Sequence, residues 1–339
     1  MFQVRREPTE SILALLDDIT MGTDGAHYRH LDTREKIKEL DAPLFFTLER
    51  NNKAIGNITV SERNDDWYLR HFAFAKGLQG SGKKRSNSAG NSGLKGEVTN
   101  FFNNLLEGSF TSKKGRCIYA YIDPENQKSL WVSESFGFRK VRTITTQSFS
   151  RLSPKRSQRL VKDLSWEEVN PLIEKEYANY SFYHPVQTAK GPFYGLKNSE
   201  GELIAVSKIT RAEWQIKRLP GKLGGLLVSL IPYIPMLNRL IKPKHHSFLV
   251  PDAVWIKDND PRLLEELLEG ILHETKLNLM LWWVDANESH YAAVKTKMNW
   301  GPAHKIIGVH DAYLMVLGPD KLIEELKNEP HFTSGYDFV

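Results

Sequence analysis

Gly93-Leu94-Lys95-Gly96-Glu97-Val98-Thr99-Asn100-Phe101-Phe102-Asn103-Asn104-Leu105-Leu106, then Cys117-Ile118-Tyr119-Ala120-Tyr121-Ile122 and Asp123-Pro124-Glu125-Asn126, is the stretch that decides the fold. Leu94, Val98, Phe101, Phe102, Leu105 and Leu106 recur three and four residues apart, which predicts a helix with one apolar face. Residues 117–122 predict a strand, and Pro124 breaks it. A second short helix ends at Phe136-Gly137-Phe138. Gly93 to Gly96 read as a turn opening into the first helix. A helix N-terminus with free backbone amides suits a small anionic ligand.

Towards the N-terminus, residues 2–5 predict a strand and residues 10–19 a helix, with Ile12, Leu13, Leu15, Leu16 and Ile19 at helical spacing. A second short helix covers residues 33–40. Residues 44–48, 54–60 and 67–75 predict three strands, the first two joined at Asn51-Asn52 and the third reached through Asn64-Asp65-Asp66. Strands linked by such short turns form an antiparallel meander, unlike a Rossmann sheet. Residues 76–92 are rich in Gly, Ser and Asn, carry Lys76, Lys83, Lys84 and Arg85, and contain no acid. Within them Gly77 to Lys84 imitates a phosphate loop. Lys84, however, stands where Ser or Thr would hold magnesium, which argues against nucleotide hydrolysis. The linker is read either as a solvated loop or as a basic rim beside a polyanion.

Towards the C-terminus, residues 148–164 are basic and broken by Pro154, and the domain boundary is expected there, giving domains 1–150 and 151–339. The second half predicts a helix at 166–177, strands at 193–196, 203–209 and 250–256, a helix at 261–274, a strand at 279–284 and a helix at 290–298. It echoes the first half. Phe46-Thr47-Leu48 and Ala54-Ile55-Gly56 match Tyr194-Gly195-Leu196 and Leu203-Ile204-Ala205, and Tyr121 to Asn126 match Trp283 to Asn287. The second half holds an apolar insertion near 217–245. Its centre, 223–241, is interrupted by Pro232, Pro235, Asn238 and Arg239, which argues against a membrane span. It is expected to be a buried, proline-broken connection. The alternative is an apolar flap touching lipid or a greasy substrate, since Lys217, Arg218, Lys222, Lys242 and Lys244 flank it.

The chain has 339 residues, 40% of them apolar and 26% charged, a balance that suits two globular domains. A net charge of +5 is too small to argue for nucleic acid. Cys117 is the single cysteine, which rules out disulfides and cysteine-based zinc sites and reads as core. The opening MFQVRREPTE has no apolar signal core, so a cytoplasmic location is expected. His245, His246, His273, His290, His304 and His310 show no metal-ligand spacing, and no metal is expected. Trp282, Trp283 and Tyr291 are expected in the core.

The order of strand, helices, three antiparallel strands, glycine turn with helix, strand, helix and Gly-Phe resembles the GNAT superfamily of acyl-CoA-dependent N-acyltransferases. The resemblance covers residues 2–150 and, more faintly, 155–318. It implies an α+β fold in which each of two GNAT-like domains is a mixed, mainly antiparallel sheet flanked by helices. The family's Arg/Gln-x-x-Gly-x-Gly/Ala turn aims amides at the pyrophosphate of CoA. Here Gly93 matches the first glycine, Leu94 follows, Lys95 stands at the small-residue position with Gly96 next, and Gly90 replaces Arg/Gln. The later Asn-x-x-Ala-x-x-Leu-Tyr-x-x-x-Gly-Phe pattern is matched by Asn126, Ser129, Val132, Gly137 and Phe138. Ser133 occupies the place of the tyrosine that commonly protonates the departing thiolate. Phe72, Ala73 and Phe74 on the third meander strand would offer backbone amides to the thioester carbonyl. For a general base the candidates are His71, next to Arg70, and Glu62 on the loop before that strand.

The resulting expectation is an N-acetyltransferase using acetyl-CoA or another acyl-CoA as co-substrate. Its acceptor would be a small-molecule or peptide primary amine. The second half, with Asp258 and Asp260 at its helix start, Val294 at the tyrosine position and no Gly-Phe, would shape the acceptor cleft rather than bind CoA in the usual way. The rival expectation is an acyl-CoA-binding or structural protein without turnover. A third is a lipid-related transferase whose segment 223–241 touches a membrane or a long chain.

Overall fold

The computed structural model of the protein describes residues 2–22, 26–75, 90–111, 114–219, 221 and 223–338. In chain order the first half contains β1 (Phe2–Arg5), α1 (Glu10–Asp17), β2 (His27–His30), α2 (Thr33–Lys38), β3 (Leu44–Arg50), β4 (Lys53–Arg63) and β5 (Asp66–Phe74). It continues through α3 (Gly90–Glu107), β6 (Cys117–Ile122), α4 (Gln127–Ser135) and β7 (Arg139–Ser150). The second half begins with β8 (Leu160–Leu164), α5 (Trp166–Tyr177), α6 (Pro185–Thr188), β9 (Phe193–Lys197), β10 (Leu203–Arg218), α7 (Gly224–Leu230) and α8 (Pro235–Leu240). It ends with β11 (His246–Ile256), α9 (Pro261–Thr275), β12 (Leu279–Asp285), α10 (Ser289–Val294), α11 (Pro302–Ile307), β13 (Val309–Leu317), α12 (Asp320–Asn328) and α13 (Gly335–Phe338).

All the strands belong to one 13-stranded sheet, ordered β1-β3-β4-β5-β6-β13-β7-β12-β11-β10-β9-β8, with β2 added beside the far end of β10. The order is palindromic in terms of the two repeats. Five strands of each half run inward from an edge, and the two sixth strands, β7 and β13, meet in the middle. They have crossed over: β7 pairs antiparallel with β12 of the second half, and β13 pairs antiparallel with β6 of the first. Each half is therefore completed by the other's last strand.

Two neighbouring pairs are parallel, β5 with β6 and β11 with β12. Parallel neighbours need a long crossover, and α3 and α9 supply it. Each crossover helix covers one face of its own half. Val98, Phe101, Phe102 and Leu105 of α3 pack on Phe46, Ile58, Val60, Trp67 and Ile118. Leu264, Leu267, Leu268 and Ile271 of α9 do the same on Leu196, Ile204, Leu249 and Met280. Burying each such side chain contributes about 1.5–3 kcal/mol, so the helices are held by their apolar stripes rather than by propensity. On the opposite face, Ile12 and Leu16 of α1 and Ile37 of α2 pack on Phe45, Ala54 and Ala73. Val169, Ile173 and Tyr177 of α5 pack on Phe193, Val206 and Ala253.

The same irregularity marks both halves. In β5 the register jumps from Thr59↔His71 to Val60↔Leu69, leaving Arg70 as an extra residue. In β11 it jumps from Val206↔Trp255 to Lys208↔Asp252, and Ala253 takes a φ of +46°. A bulge of this kind twists a strand and re-aims its side chains.

Several expectations need correction. Gly93 to Gly96 are not a turn before the helix. They lie inside α3, which already begins at Gly90. Glu62 lies on β4 opposite Trp67, not on a loop. β10 continues as a strand through Trp214 to Arg218, because β2 and β11 both pair with that end. The segment 148–164, where the boundary is expected, holds the end of β7 at Ser150 and all of β8. The apolar stretch 223–241 does not form a buried connection. The stretch buries only Gly224, Ile231, Leu240 and Ile241, and most of its large apolar side chains face outward. No helix among the described residues is long and apolar enough to cross a membrane. The phosphate-loop look-alike and most of the basic linker lie outside the described residues.

Candidate active site

The site begins where β5 and β6 part. Their pairing runs through Asp66↔Cys117, Trp67↔Ile118 and Tyr68↔Tyr119 and goes no further. The closed end is locked by the buried Asp66. It accepts two hydrogen bonds from Arg116 at 2.9 and 2.7 Å and one from the Cys117 thiol at 3.1 Å. Burial, helped by the Asp66 charge, pushes that thiol well above its ordinary range, so Cys117 is a core residue and not a nucleophile. Beyond Tyr68, the N–H groups on one edge of β5 face the side that β6 has left, since backbone donors alternate along a strand.

One face of this parting looks towards α3 and α4. Phe72 lies there, 37% exposed, with Phe74 and Phe136 at ring-centre distances of 5.3 and 6.3 Å. The Phe74 ring lies flat against Gly56, where a Cβ would come within 2.6 Å of it. Gly93 and Gly96 have open space where a Cβ would be added, so packing within the described chain does not demand them. Lys95 is exposed beside them. Asn126 caps α4, its side chain accepting from the Ser129 N–H at 3.1 Å. Ser133 is buried, and its hydroxyl donates to the Leu130 carbonyl at 2.8 Å, one turn back in α4. That bond keeps the hydroxyl inside the helix.

The other face opens into a cavity of about 570 Å³ walled by both halves. The bulge at Arg70 turns both Arg70 and His71 into it. Tyr121, Asp123 and Glu125 come from the end of β6, Trp214 and Trp283 from the second half, and His310 and Asp311 from β13. The indole of Trp214 stacks on Tyr28 at 3.8 Å, and His30 tilts against both rings. Ala73 is buried against α1 and α2 behind this wall. Glu62 does not line the cavity.

Electrostatics follow from the burial. Desolvation first, and then the Arg70 charge, pull His71 well below the usual imidazole value. The same two causes bring His30 down to about 3. Both rings are therefore neutral at pH 7, and His71 Nδ1 is buried with no hydrogen-bond partner among the described residues. A neutral imidazole with a free nitrogen can accept a proton, while Arg70 keeps the charged form short-lived.

The corresponding parting in the second half is filled by the chain's own tail. Gly335 N–H donates to Asp252 Oδ2 at 2.6 Å, and Lys208 Nζ meets the same oxygen at 3.2 Å. His331 N–H donates to Asp285 at 3.3 Å, so the tail touches both β11 and β12. Phe332 packs on Ala253 at the second bulge. Asp260 caps α9 by accepting from the Arg262 N–H, which leaves carboxylates where a pyrophosphate would need donors. The tail then crosses to the first half. Asp337 accepts from Arg63 and Tyr119 at 3.2 Å each, its carbonyl accepts from Tyr68 at 2.7 Å, and Arg70 donates to the Tyr336 carbonyl at 3.2 Å.

Sequence reasoning brought His71 to the cavity but missed most of its neighbours. Tyr28, His30, Trp214, Tyr121 and Asp337 lie far apart in the chain. Only the aromatic content of 27–30, a polar-looking loop, hinted at β2.

No family model matches the sequence, and no curated protein matches it. Similar solved structures were found. A GCN5-related N-acetyltransferase from Sphaerobacter thermophilus aligns over 98% of both chains, at 11% identity and a TM-score of 0.50. The N-myristoyltransferase of Saccharomyces cerevisiae with bound myristoyl-CoA aligns over 94% of this chain and 79% of its own, at 10% identity and a TM-score of 0.53. At this identity the likeness speaks to fold alone. The chain has the GNAT fold in two tandem copies, as the resemblance implied.

Proposed function

We propose that this tandem GNAT fold is an acyl-CoA-dependent N-acyltransferase that moves an acetyl or other short acyl group onto a primary amine. The observation that carries the reading is the parting of β5 and β6, with the exposed Phe72 on one face and a walled cavity holding His71 on the other. Residues 1–150 hold the cofactor, and residues 151–339 wall the acceptor cavity and lend β13.

In this reading the pantetheine arm lies along Phe72, Ala73 and Phe74, and the nucleotide end meets the first two turns of α3 at Gly93, Leu94, Lys95 and Gly96. Asn126 and Ser129 shape the turn into α4 beside it. The acceptor, a small molecule or the end of a peptide, brings its amine into the cavity, where Asp123 and Asp311 attract the ammonium form. The neutral amine nitrogen attacks the thioester carbonyl carbon. As the C–N bond forms, the carbonyl oxygen gains charge next to free β5 amides, and the His71 ring takes the amine proton. The C–S bond then breaks, and CoA leaves as the thiolate and takes a proton from water. Glu62 has no part, since it is remote from the cavity.

A second reading, a CoA-binding protein without turnover, is favoured by Ser133, whose hydroxyl is committed to Leu130 and cannot readily protonate the thiolate. Thiol release from acetyl-CoA, measured with a panel of amines, separates the two. Amine-dependent release that is lost in His71→Ala supports transfer. CoA binding with no release from any acyl-CoA and amine tested supports the second reading.

A further inference from the structure

The connection between β10 and β11 puts an unusual surface on the molecule. α7 and α8 follow one another across a 3-10 turn at Ile231–Tyr233, with Pro232 in the turn and Pro235 opening α8. They are pinned from beneath by Ile231, Leu240 and Ile241, which pack on Leu152, Ile216, Leu219 and Ile307. Gly224 closes the base: a Cβ there would sit 1.7 Å from the Leu219 carbonyl oxygen. The inner side is thus ordinary packing. The outer side is not, because Leu223, Leu226, Leu230, Tyr233 and Met236 are 64, 57, 43, 83 and 52% exposed. Water-facing apolar side chains clustered this densely mark an interaction site rather than a solvated surface.

The charge around them selects the partner. From Trp214 to Pro251 the sequence contains no acidic residue but has Lys217, Arg218, Lys222, Arg239, Lys242 and Lys244. Among the described residues no ion pair holds Lys217, Arg239, Lys242 or Lys244. An acid-free apolar face rimmed by unpaired cations complements an anionic lipid surface, apolar groups entering the acyl boundary and ammonium groups meeting headgroup phosphates. Helices of seven and six residues cannot span a bilayer and suit its interface.

We propose that the α7–α8 segment docks the protein on the surface of an anionic lipid bilayer. The cavity of the candidate active site then faces the membrane. Leu227 and Ile306, 41 and 52% exposed, form part of its lining, so the docked face and the cavity rim are continuous. Docking stands on this segment alone and does not depend on the proposed acyl transfer.

Flotation of the full chain with vesicles tests it. The protein floats with vesicles of equimolar phosphatidylcholine and phosphatidylglycerol, floats poorly with phosphatidylcholine alone, and is released by high salt. Lys242→Gln/Lys244→Gln lowers the vesicle partition coefficient roughly 25-fold, about fivefold per cation. Tyr233→Asp/Met236→Asp abolishes flotation while leaving the circular dichroism spectrum and CoA binding unchanged, since both side chains face water. Failure of the wild type to float with the anionic vesicles overturns the proposal, as does flotation unaffected by the Tyr233/Met236 substitutions. So does a wild-type dimer that those substitutions split, because the face would then be covered by a second copy of the chain.

Discussion

His71 owes its character to the bulge at Arg70, which turns it into the cavity, and to burial and then the Arg70 charge, which keep the ring neutral. If His71 relays the amine proton, His71→Ala lowers kcat/KM by about 10²–10⁴-fold, with little change in CoA affinity. Because its folded value is depressed, the acid limb of the kcat/KM profile falls below the ordinary imidazole value of 6.5, and His71→Ala removes that limb. Other buried imidazoles make an independent prediction about stability. Burial brings His30 and His331 to about 3 and His246 to about 4. For a histidine with a depressed folded value the unfolded chain binds the proton first. Its contribution is therefore complete above 6.5 and is lost as the pH falls towards the folded value. Each such ring removes up to about 1.4 kcal/mol per pH unit in that window. The urea midpoint is expected to be clearly lower near pH 5 than near pH 7, and equal midpoints would contradict neutral burial of these rings.

At the scale of elements, the tail from His331 to Phe338 decides which half is open. It is anchored at Asp252, a buried carboxylate paired with Lys208 and accepting a hydrogen bond from the Gly335 N–H. Lys208→Met leaves that carboxylate uncompensated and is expected to cost about 3–5 kcal/mol in chemical denaturation, with faster amide exchange at Gly335 as the tail loosens. The elements themselves were largely legible. Leu263 to Ile271 and Val98 to Leu105 carry a period that only a helix satisfies, and Asn51-Asn52 can scarcely be anything but a turn. The role of the tail was hidden, because nothing in Ser334-Gly335-Tyr336-Asp337 distinguishes a frayed end from a plug; only the distant Lys208 and Arg63 do. Segment 223–241 reads as buried from its sequence because apolar composition predicts burial on average, and composition cannot say which side of a short helix finds a partner. The bulge was hidden for a similar reason: Arg70 looks like one more strand residue until its partners on β4 are known.

For the whole molecule, the tandem repeat was visible in matched segments such as Tyr121-Ile122-Asp123 and Trp283-Val284-Asp285, but the strand exchange was not. β7 and β13 are both alternating strands with partners available in either half, and long-range pairing leaves no local signal. The exchange has a consequence for folding. Without β13, β6 and β7 have nothing between them, so fragment 1–150 alone is expected to remain unfolded, whereas fragments 1–150 and 151–339 mixed or produced together form a stable complex. The intact chain should melt in one calorimetric transition. A fragment 1–150 that folds by itself would show that the exchanged strand is dispensable.

The two halves share one architecture but only one offers an open parting, since the tail fills the other. Isothermal titration of the full chain with CoA therefore tests the central claim most directly. One binding site per chain is expected, weakened by Phe72→Asp and unaffected by Asp260→Asn in the second half. Absence of binding to CoA and to acetyl-CoA, or binding of two molecules per chain, would contradict it.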